Sequence, residues 1–467
     1  MAVNVLALDI GASNGRAIIG NYEGGILRLR EVHRFSNGYF RMLGGLYWDP
    51  IRIHKEILNC LRACKTHNIP IDCIAIDAWS QDYAWIGGDG CVSGLPRCYH
   101  DPVLANRAGD FDAVIAPEEL YRHCGQVRTD ISALRQIYYD SRFRADTFRA
   151  ARKLLFIPYL LAYQLCGEMG YDCTIPPIGE LMDAGTGRIS EMLARKIDIQ
   201  DKIPPYRECG TIFGHTDRSL YEETGYNGIP VACIGAHDTS AAAFAIPAED
   251  EYLYVSSGSF AMYGAVLGKP VLNGAAFDAR LCSSPQCDGM TNLLSGTVGM
   301  FTFEQCMKSW KARGIAVSYD ELNRYALQNE NESYFDFSDV DMATPDMPSE
   351  IIRALHESGR PAPAAPQDFY VVFANSLAKR LSENILALER VVERKFDKLY
   401  MVGGGSQAKA VNARIAKLIN QPIMTGLTEA AAAGNALMQL VALGTLKSCA
   451  EAKEVAARSF PMQQTDI

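Results

Sequence analysis

The sequence lacks the features that define several common classes of protein. It contains no Walker A pattern, GxxxxGK(S/T), which excludes a P-loop nucleotide-binding fold. It has no excess of positive charge: 45 Lys and Arg face 54 Asp and Glu, and the formal net charge of −9 disfavours nucleic acid or an anionic membrane as a partner. No apolar run approaches the ~20 residues of a transmembrane helix, and the amino terminus has no basic region followed by an apolar core. We therefore expect a cytoplasmic protein that binds neither nucleic acid nor membrane.

Cysteine is dilute in the chain. The 14 cysteines are scattered over 467 residues, as expected of reduced thiols in a cytoplasmic protein. The pairs Cys60/Cys64 and Cys282/Cys287 do not have zinc-ribbon spacing, and no histidine cluster accompanies them. We therefore expect no metal bound by cysteine.

Length and composition indicate a large globular protein with more than one domain. The chain is 48% hydrophobic and 21% charged, which is ordinary for a packed protein. Single hydrophobic cores stop growing at about 250–300 residues, so 467 residues should divide. We place the boundary near Pro247, which gives domains 1–246 and 247–467.

Residues 9–16 form the most informative stretch. They lie between two apolar, alternating runs and so predict the turn of a β-hairpin. Gly11 and Gly15 would let backbone N–H groups approach an anion, and Arg16 would add a permanently charged donor. Asp9 would repel a phosphate unless a hydrated Mg²⁺ lay between the two. The alternative is an ordinary glycine-rich turn capped by its own side chains.

Strands and helices alternate in two halves, which predicts an α/β fold. The first half predicts strands at 3–10, 15–22, 26–34, 73–77 and 229–234, a helix at 51–67, a helical region at 118–166 ending near Gly167, and loops at Pro176-Pro177 and Pro204-Pro205. The second half predicts strands at 252–256, 260–267 and 398–402, a loop at 359–366 and a helix at 368–394. The hairpin 252–267 repeats the plan of residues 3–22, so we expect two related lobes that face each other across a cleft.

Two further stretches carry small residues next to predicted elements. The triple glycine of residues 403–407 closes a strand and opens a helix with Ala413, Ile415, Ala416 and Leu418 on one face, a place where the backbone can approach a flat ligand. Residues 428–436 predict a helix with very small side chains. This helix would line the floor of the cleft, or would simply pack tightly against another helix.

These motifs together resemble the FGGY family of carbohydrate kinases, most closely the branch that phosphorylates L-rhamnulose. The resemblance spans essentially the whole chain and is carried by residues 9–16, 34–38, 48–49, 72–79, 95–96, 236–239 and 402–407. It implies the actin/Hsp70-type architecture of two ribonuclease-H-like lobes with an ATP and sugar cleft between them. It also implies ATP-dependent phosphorylation of a sugar hydroxyl, L-rhamnulose to its 1-phosphate. The alternatives are L-fuculose or another ketose or polyol, and an idle sugar-binding regulator.

The resemblance also assigns roles to individual residues. Asp238 would be the catalytic base that accepts the proton of the attacking hydroxyl. Mg²⁺ would lie near Asp9. The sugar would be bound by Trp79, Ser80, Asp82, His237, Asp238 and Thr239. ATP would be bound by Ala12, Ser13, Asn14, Gly15, Arg16, Ser257, Gly258, Ser259, Gly403, Gly404, Gly405 and Gln407. Tyr83 and Trp85 are either an apolar wall for the sugar or part of the core.

The chain departs from that branch mainly at sugar-contacting positions. Ser80 replaces a Gly, His100 replaces an Arg, the stretch 295–299 around Gly296 lacks an Asn, and Glu304 replaces a Gln. The reaction type is therefore better determined than the sugar. A homodimer is possible. An actin- or Hsp70-like ATPase that acts on proteins is a third class, which polymerisation or sugar-independent ATP hydrolysis would reveal.

Overall fold

The computed structural model of the protein describes residues 2–329 and 331–465. The chain divides into two compact units. The first unit comprises Met1–Glu249, Leu267–Leu293 and Ala430–Ser459, and the second comprises Asp250–Val266, Leu294–Glu429 and Phe460–Ile467. Across the described residues, no helix combines the length and the hydrophobicity that a membrane span requires.

The strands of both units follow in chain order. They are β1 Val3–Ile10, β2 Asn14–Glu23, β3 Ile26–Ser36, β4 Phe40–Met42, β5 Gly45–Tyr47, β6 Cys73–Ala78, β7 Tyr83–Ile86, β8 Lys153–Phe156, β9 Met182–Asp183, β10 Arg188–Ile189, β11 Thr211–His215, β12 Pro230–Cys233, β13 Tyr252–Ser257, β14 Phe260–Leu267, β15 Cys282–Pro285, β16 Thr291–Val298, β17 Leu399–Val402, β18 Ile423–Thr425 and β19 Gln463–Thr465.

The α-helices follow in the same order. They are α1 Pro50–Thr66, α2 Pro102–Ala105, α3 Pro117–Cys124, α4 Ala133–Phe143, α5 Ala145–Ala150, α6 Ile157–Cys166, α7 Ile175–Ile178, α8 Glu191–Lys196, α9 Arg218–Thr224, α10 Asp238–Phe244, α11 Gly274–Asp278, α12 Phe301–Ala312, α13 Tyr319–Gln328, α14 Met347–Glu357, α15 Pro366–Val391, α16 Lys409–Ile419, α17 Ala430–Ala442 and α18 Cys449–Ser459. Short 3₁₀ helices lie at Ala108–Ala113, Gln200–Lys202, Phe337–Asp339 and Gly404–Gln407.

Strand β1 lies inside the sheet of the first unit, whose order is β11-β12-β6-β1-β2-β3. It pairs antiparallel with β2 and parallel with β6. Consecutive residues of β1 from Val5 to Leu8 are fully buried, so both faces of the sheet are covered at this point. The predicted hairpin and the predicted strand at 73–77 are both confirmed.

The second unit repeats this arrangement. The order of its strands is β16-β14-β13-β17-β18-β19, with β13 antiparallel to β14 and parallel to β17. A hairpin followed by a parallel strand therefore occurs in each unit, as the repeated sequence pattern predicts. The long predicted helix near 368–394 is α15, and the loop before it contains no strand or helix over residues 359–365.

Three local predictions are wrong. The region 118–166 is not continuously helical, because α3 ends at Gly125 in the left-handed conformation and strand β8 pairs with β7. A run of four residues such as β8 is too short for periodicity to separate strand from helix. Pro176 and Pro177 lie within the short helix α7, where proline is tolerated in the first turn. Leu418 is exposed, although it was expected on the packed face of α16.

The small-residue helix α17 packs closely against α10. A Cβ atom added at Gly434 would lie 1.9 Å from the backbone oxygen of Ala241, a distance that no rearrangement of side chains can relieve. Tight helix packing is therefore the structural reason for the glycine within the run of alanines.

We predict that Gly434→Ala destabilises the first unit. The added methyl group would force α10 and α17 apart, and overpacking of this kind costs about 1–3 kcal/mol. The measurement is the urea midpoint of unfolding. Gly274→Ala is the control, since a Cβ atom there meets nothing within 4 Å and should leave the midpoint unchanged. Equal midpoints for the two variants would contradict the prediction.

Candidate active site

The turn between β1 and β2 is held by an asparagine from the end of β3. The amide of Asn37 donates to the carbonyl of Gly11 (2.8 Å), and its backbone N–H donates to the carbonyl of Ser13 (2.9 Å). Ser13 and Asn14 remain exposed. Packing requires a glycine at position 15, because a Cβ atom there would lie 2.2 Å from the ring of Phe35. The anion-binding role of residues 12–16 stays a prediction.

Asp9 lies at the end of β1 between a basic and an acidic side chain. Its carboxylate forms an ion pair with Arg16, the residue opposite it on β2. On the other side, Asp77 of β6 is its partner in the parallel register. Asp77 is fully buried, and this burial, together with the carboxylates of Asp9 and Asp238, raises the pKa of Asp77 well above its usual range.

A buried amide chain from α17 holds Asp77 in place. The amide of Asn435 donates to Asp77 Oδ2 (2.6 Å), and the amide of Gln439 donates to Asn435 Oδ1 (2.7 Å) and to the carbonyl of Leu6 (3.1 Å). The second carboxylate oxygen of Asp77, Oδ1, is buried and has no hydrogen-bond partner. A buried carboxylate oxygen without a hydrogen-bond partner, beside two other carboxylates, can accept a proton or act as a ligand to a cation.

The oxygen donors at this point fit Mg²⁺, which prefers carboxylate and water ligands. Across the described residues, the only compact group of possible metal ligands lies elsewhere, at Asp172, Cys209 and Cys233. Asp9, Asp77 and Asp238 do not form such a compact group, and a hydrated Mg²⁺, held partly through its own waters, is the form of the ion that these carboxylates would hold.

The loop of residues 235–239, which carries the predicted catalytic base Asp238, lies beside the end of β6. The N–H of Ala78 donates to the carbonyl of Ala236 (2.9 Å), and Ala78 and His237 form a parallel bridge. Two buried residues support the loop from behind. Asp172 Oδ2 accepts the N–H of Ala236 (2.6 Å), and Thr174 Oγ1 accepts the N–H of His237 (3.2 Å).

Asp238 is the first residue of α10. Its Oδ1 accepts hydrogen bonds from the backbone N–H (2.5 Å) and the hydroxyl (3.1 Å) of Thr239, and its side chain is 39% exposed. Nε2 of His237 lies 3.5 Å from the same oxygen. Burial lowers the pKa of His237, so this imidazole is neutral at neutral pH. A carboxylate fixed on one side and open on the other can orient a hydroxyl and take its proton.

The loop after β6 contains one residue whose side chain is fully hydrogen-bonded within the protein, Asp82, and one whose buried hydroxyl has no partner, Ser80. Asp82 is fully buried and accepts the indole N–H groups of Trp48 (2.5 Å) and Trp79 (3.0 Å) and the amide of Gln136 (2.9 Å). Both of its oxygens are therefore engaged within the protein. Ser80, in contrast, is 1% exposed and its hydroxyl has no hydrogen-bond partner.

Aromatic rings cluster around this loop. The indoles of Trp48 and Trp79 lie 4.4 Å apart, Tyr99 contacts His100 at 4.1 Å, and Tyr39 lies 5.9 Å from His100. Burial, followed by the charge of Asp82 and, more weakly, that of Asp238, raises the pKa of Tyr99. Tyr83 and Trp85 do not belong to this aromatic cluster. Both are buried and donate to Asp140, at 3.0 and 2.7 Å.

The second hairpin places its turn against the start of α12. The carbonyl of Gly258 accepts the N–H of Met300 (2.9 Å), and the carbonyl of Ser259 accepts the N–H of Phe301 (3.0 Å). The hydroxyl of Ser259 donates to Glu304 (2.8 Å). Ser259 was predicted to bind phosphate, but its hydroxyl already has a partner, so its backbone is the part left for a ligand.

The glycines of residues 403–405 pack against Ser257 and border a pocket. Cβ atoms at Gly403 and Gly405 would lie 2.7 and 2.1 Å from atoms of Ser257, whereas one at Gly404 would meet nothing within 4 Å. The pocket has a volume of about 270 Å³ and is lined by Gly258, Met300, Glu304, Tyr319, Asn323, Gly404, Gly405, Gln407 and Ala408.

Several residues of these sites were not found from the sequence. Asn323 lines the pocket, donates to the carbonyl of Gln407 (3.4 Å) and accepts the N–H of Ala410 (3.1 Å), so it fixes the start of α16. Asp77 lies in a motif that the sequence analysis used, but its burial gave no local signal. Asp172 lies in no motif, and Asn435 lies in the small-residue stretch 428–436, but no pattern along the chain could have indicated its hydrogen bond to Asp77.

Comparison with known proteins identifies the class to which this architecture belongs. Over 98% of this chain and 93% of theirs, the structure superimposes on a xylulose kinase from Rhodospirillum rubrum (TM-score 0.79, 14% identity) and on a glycerol kinase from Plasmodium falciparum solved with ADP (TM-score 0.80, 16% identity). The fold is therefore that of the sugar kinases with two actin/Hsp70-like lobes, as predicted.

The sequence defines the family within that class. The N-terminal domain of the FGGY family of carbohydrate kinases matches residues 4–245 and the C-terminal domain matches residues 253–443, so the chain belongs to this family and is a sugar kinase. A rhamnulokinase of Bacteroides thetaiotaomicron is 29% identical over 99% of this chain and 96% of its own length. A rhamnulokinase of Lactiplantibacillus plantarum is 26% identical over 98% and 94%.

We predict a proton-linked contribution of Asp82 to stability. Burial raises the pKa of Asp82 from 3.8 to about 6, so the folded protein holds this proton more tightly than the unfolded chain does. The stabilisation is complete below about pH 4 and is lost as the pH rises through about 6. The free energy of unfolding should therefore fall by about 2–3 kcal/mol more in the wild type than in Asp82→Asn between these limits.

Urea unfolding across this pH range is the measurement. Ile137→Val, in the helix that also carries Gln136, is the control, because it should lower stability by about 0.5–1.5 kcal/mol at every pH without changing the slope. Parallel pH profiles for the wild type and Asp82→Asn would contradict the prediction.

Proposed function

We propose that this protein transfers the γ-phosphate of ATP to L-rhamnulose and forms the 1-phosphate. The observation that supports the substrate is similarity over the full length: proteins named rhamnulokinase match 98–99% of this chain at 24–29% identity. The reaction takes place in the cytoplasm in this proposal, where ATP is available.

Asp238 is the proposed catalytic base. A carboxylate is a weak base toward an alcohol, so its main task is to align the hydroxyl with the phosphate and accept the proton as the new bond forms. The hydrogen bonds from Thr239 support this role, because they fix one oxygen and leave the other side of the group exposed. His237, neutral and buried beside it, would bind the sugar.

The sugar would contact Ser80 and the aromatic cluster of Tyr39, Trp48, Trp79, Tyr99 and His100. The buried hydroxyl of Ser80 would gain from a sugar hydroxyl the hydrogen bond that the protein does not supply. Aromatic rings suit the C–H face and the methyl group of a deoxyketose. Asp82, whose oxygens are occupied by Trp48, Trp79 and Gln136, would act by positioning these rings and not by direct contact.

The nucleoside of ATP would occupy the pocket beside Gly404, Gly405 and Gln407, with its phosphates on the backbone of Ser257–Ser259 and of residues 12–16. The open space above Gly404 supports the first assignment. Mg²⁺ would be held through water by Asp9, Asp77 and Asp238, and it would neutralise charge on the transferring phosphate. In this proposal, residues 1–246 carry the sugar and the first phosphate turn, and residues 247–467 carry the nucleotide pocket.

The experiment is ADP release from Mg-ATP across L-rhamnulose, L-fuculose, other ketoses and polyols. We expect L-rhamnulose to give the highest kcat/KM. Asp238→Asn should lower kcat by at least about 100-fold while ATP still binds, because general base catalysis contributes 10²–10⁴-fold. Asp89→Asn, in a loop of the same unit, should keep its turnover.

Two outcomes would overturn parts of this proposal. Near-normal turnover of Asp238→Asn would remove its role as base. A higher kcat/KM for L-fuculose or for a polyol would replace the substrate but leave the kinase in place.

We also predict that Glu304→Gln lowers the KM for Mg-ATP. Glu304 lines the nucleotide pocket, so its negative charge acts against the polyphosphate. Removing that charge should favour ATP by about 1 kcal/mol, or about fivefold in KM. Glu321→Gln, on α13 but outside the pocket lining, is the control and should leave KM unchanged. A higher KM for Glu304→Gln would instead indicate that this carboxylate accepts a hydrogen bond from the nucleotide.

A further inference from the structure

Three side chains of the types that ligate metals lie close together behind the loop of residues 235–239. The ligand atoms of Asp172, Cys209 and Cys233 all lie within 4.8 Å of one another. They come from separate segments: Asp172 precedes α7, Cys209 precedes β11, and Cys233 ends β12. The backbone holds two of these segments together, because the N–H of Gly210 donates to the carbonyl of Cys233 (2.8 Å) and Thr211 pairs with Cys233.

A third thiol adjoins this group. Cys173 follows Asp172 directly, and hydrogen bonding of the Cys209 thiol with Cys173 and Cys233, together with burial, raises the pKa of Cys209. Cys233 is 1% exposed, but Cys209 and Cys173 are only half-buried, which gives an ion a route from the surface.

We propose that Asp172, Cys209 and Cys233 form a binding site for a thiophilic divalent cation such as Zn²⁺. Two thiols and one carboxylate, with a water in the fourth position, suit tetrahedral Zn²⁺. Each Zn²⁺ that binds replaces the protons of the coordinating thiols, and those protons leave to solvent. Mg²⁺ would not compete, since it prefers oxygen ligands.

The position of this site connects it to catalysis. Asp172 Oδ2 accepts the N–H of Ala236 (2.6 Å) and the hydroxyl of Tyr159 (2.5 Å), while Oδ1 accepts the N–H (2.5 Å) and the hydroxyl (2.7 Å) of Thr174. An oxygen that turns toward a cation must give up at least one of these donors. The loop that carries His237 and Asp238 would lose part of its support, so we expect bound cation to lower sugar phosphorylation.

The binding test uses Co²⁺ as an optical probe for the reduced, full-length protein in excess Mg²⁺. We expect one Co²⁺ per chain, with the charge-transfer absorption of cobalt–thiolate bonds, and its displacement by Zn²⁺. Cys209→Ser and Cys233→Ser should each weaken binding at least about tenfold, because even partners that only orient metal ligands contribute 10–100-fold to affinity.

Matched controls separate this site from other thiols. Cys60→Ser, on α1, also removes a buried thiol with a second thiol nearby, Cys64, and should bind Co²⁺ like the wild type. Cys91→Ser tests an exposed thiol and should behave in the same way. Absence of thiolate absorption in the wild type, or equal affinity in Cys209→Ser and the wild type, would overturn the proposal. This readout is independent of the sugar, so it stands apart from the proposed substrate.

Discussion

The burial of one carboxylate constrains much of the first unit. Asp77 has no exposed surface, and a charged group removed from water costs several kcal/mol unless partners replace the lost hydration. Its hydrogen-bond partner, Asn435, lies 358 residues later in the sequence, on α17. The segment 430–459 must therefore return to the first unit to satisfy a group near the start of the chain. To reach this position α17 must also pack closely against α10. Only small side chains allow that approach, which explains the alanines and Gly434 of α17.

The two units use the same backbone arrangement for different tasks. In both, a hairpin is followed by a parallel strand, and the turn of the hairpin is held by hydrogen bonds to its own carbonyl oxygens. Asn37 supplies them in the first unit, and the start of α12 supplies them in the second. In each turn one N–H group is used internally, because Gly11 donates to the carbonyl of Asn14 and Gly258 donates to that of Phe260, so only the remaining N–H groups could meet an anion. Asp9, just before the first turn, pairs in register with Asp77, whereas the second turn borders a pocket lined by glycines, so the repeated arrangement gives two chemically different surroundings.

The sequence was sufficient where the signal is local. The strands of both hairpins, the helix α15 and the left-handed Gly167 all follow from alternation, helical periodicity or a glycine at a helix end. The family resemblance assigns Asp238 the role of catalytic base, which stays a prediction. What the sequence could not show depends on pairing over long distances: Asp77 with Asn435, Asp172 with Ala236, and Asn323 with Ala410. The strand β8 was missed for a related reason, because its identity comes from pairing with β7 and from no pattern of its own.

One departure from the related branch leaves a polar group of the protein without a hydrogen-bond partner. Ser80 stands where a glycine is usual, and the structure buries its hydroxyl without a partner, although a serine hydroxyl in a protein interior usually finds one. The cost of leaving such a group unpaired, about 1–3 kcal/mol, is recovered only when a ligand supplies the missing hydrogen bond. Asp82 shows the opposite case: its three donors come from the protein, and its contribution is to hold Trp48 and Trp79 in a fixed orientation. In this loop Asp82 positions the aromatic rings, and Ser80 carries the hydroxyl that is proposed to bind the sugar. A change from glycine to serine at position 80 can therefore alter which sugar is preferred without disturbing the buried carboxylate of Asp82.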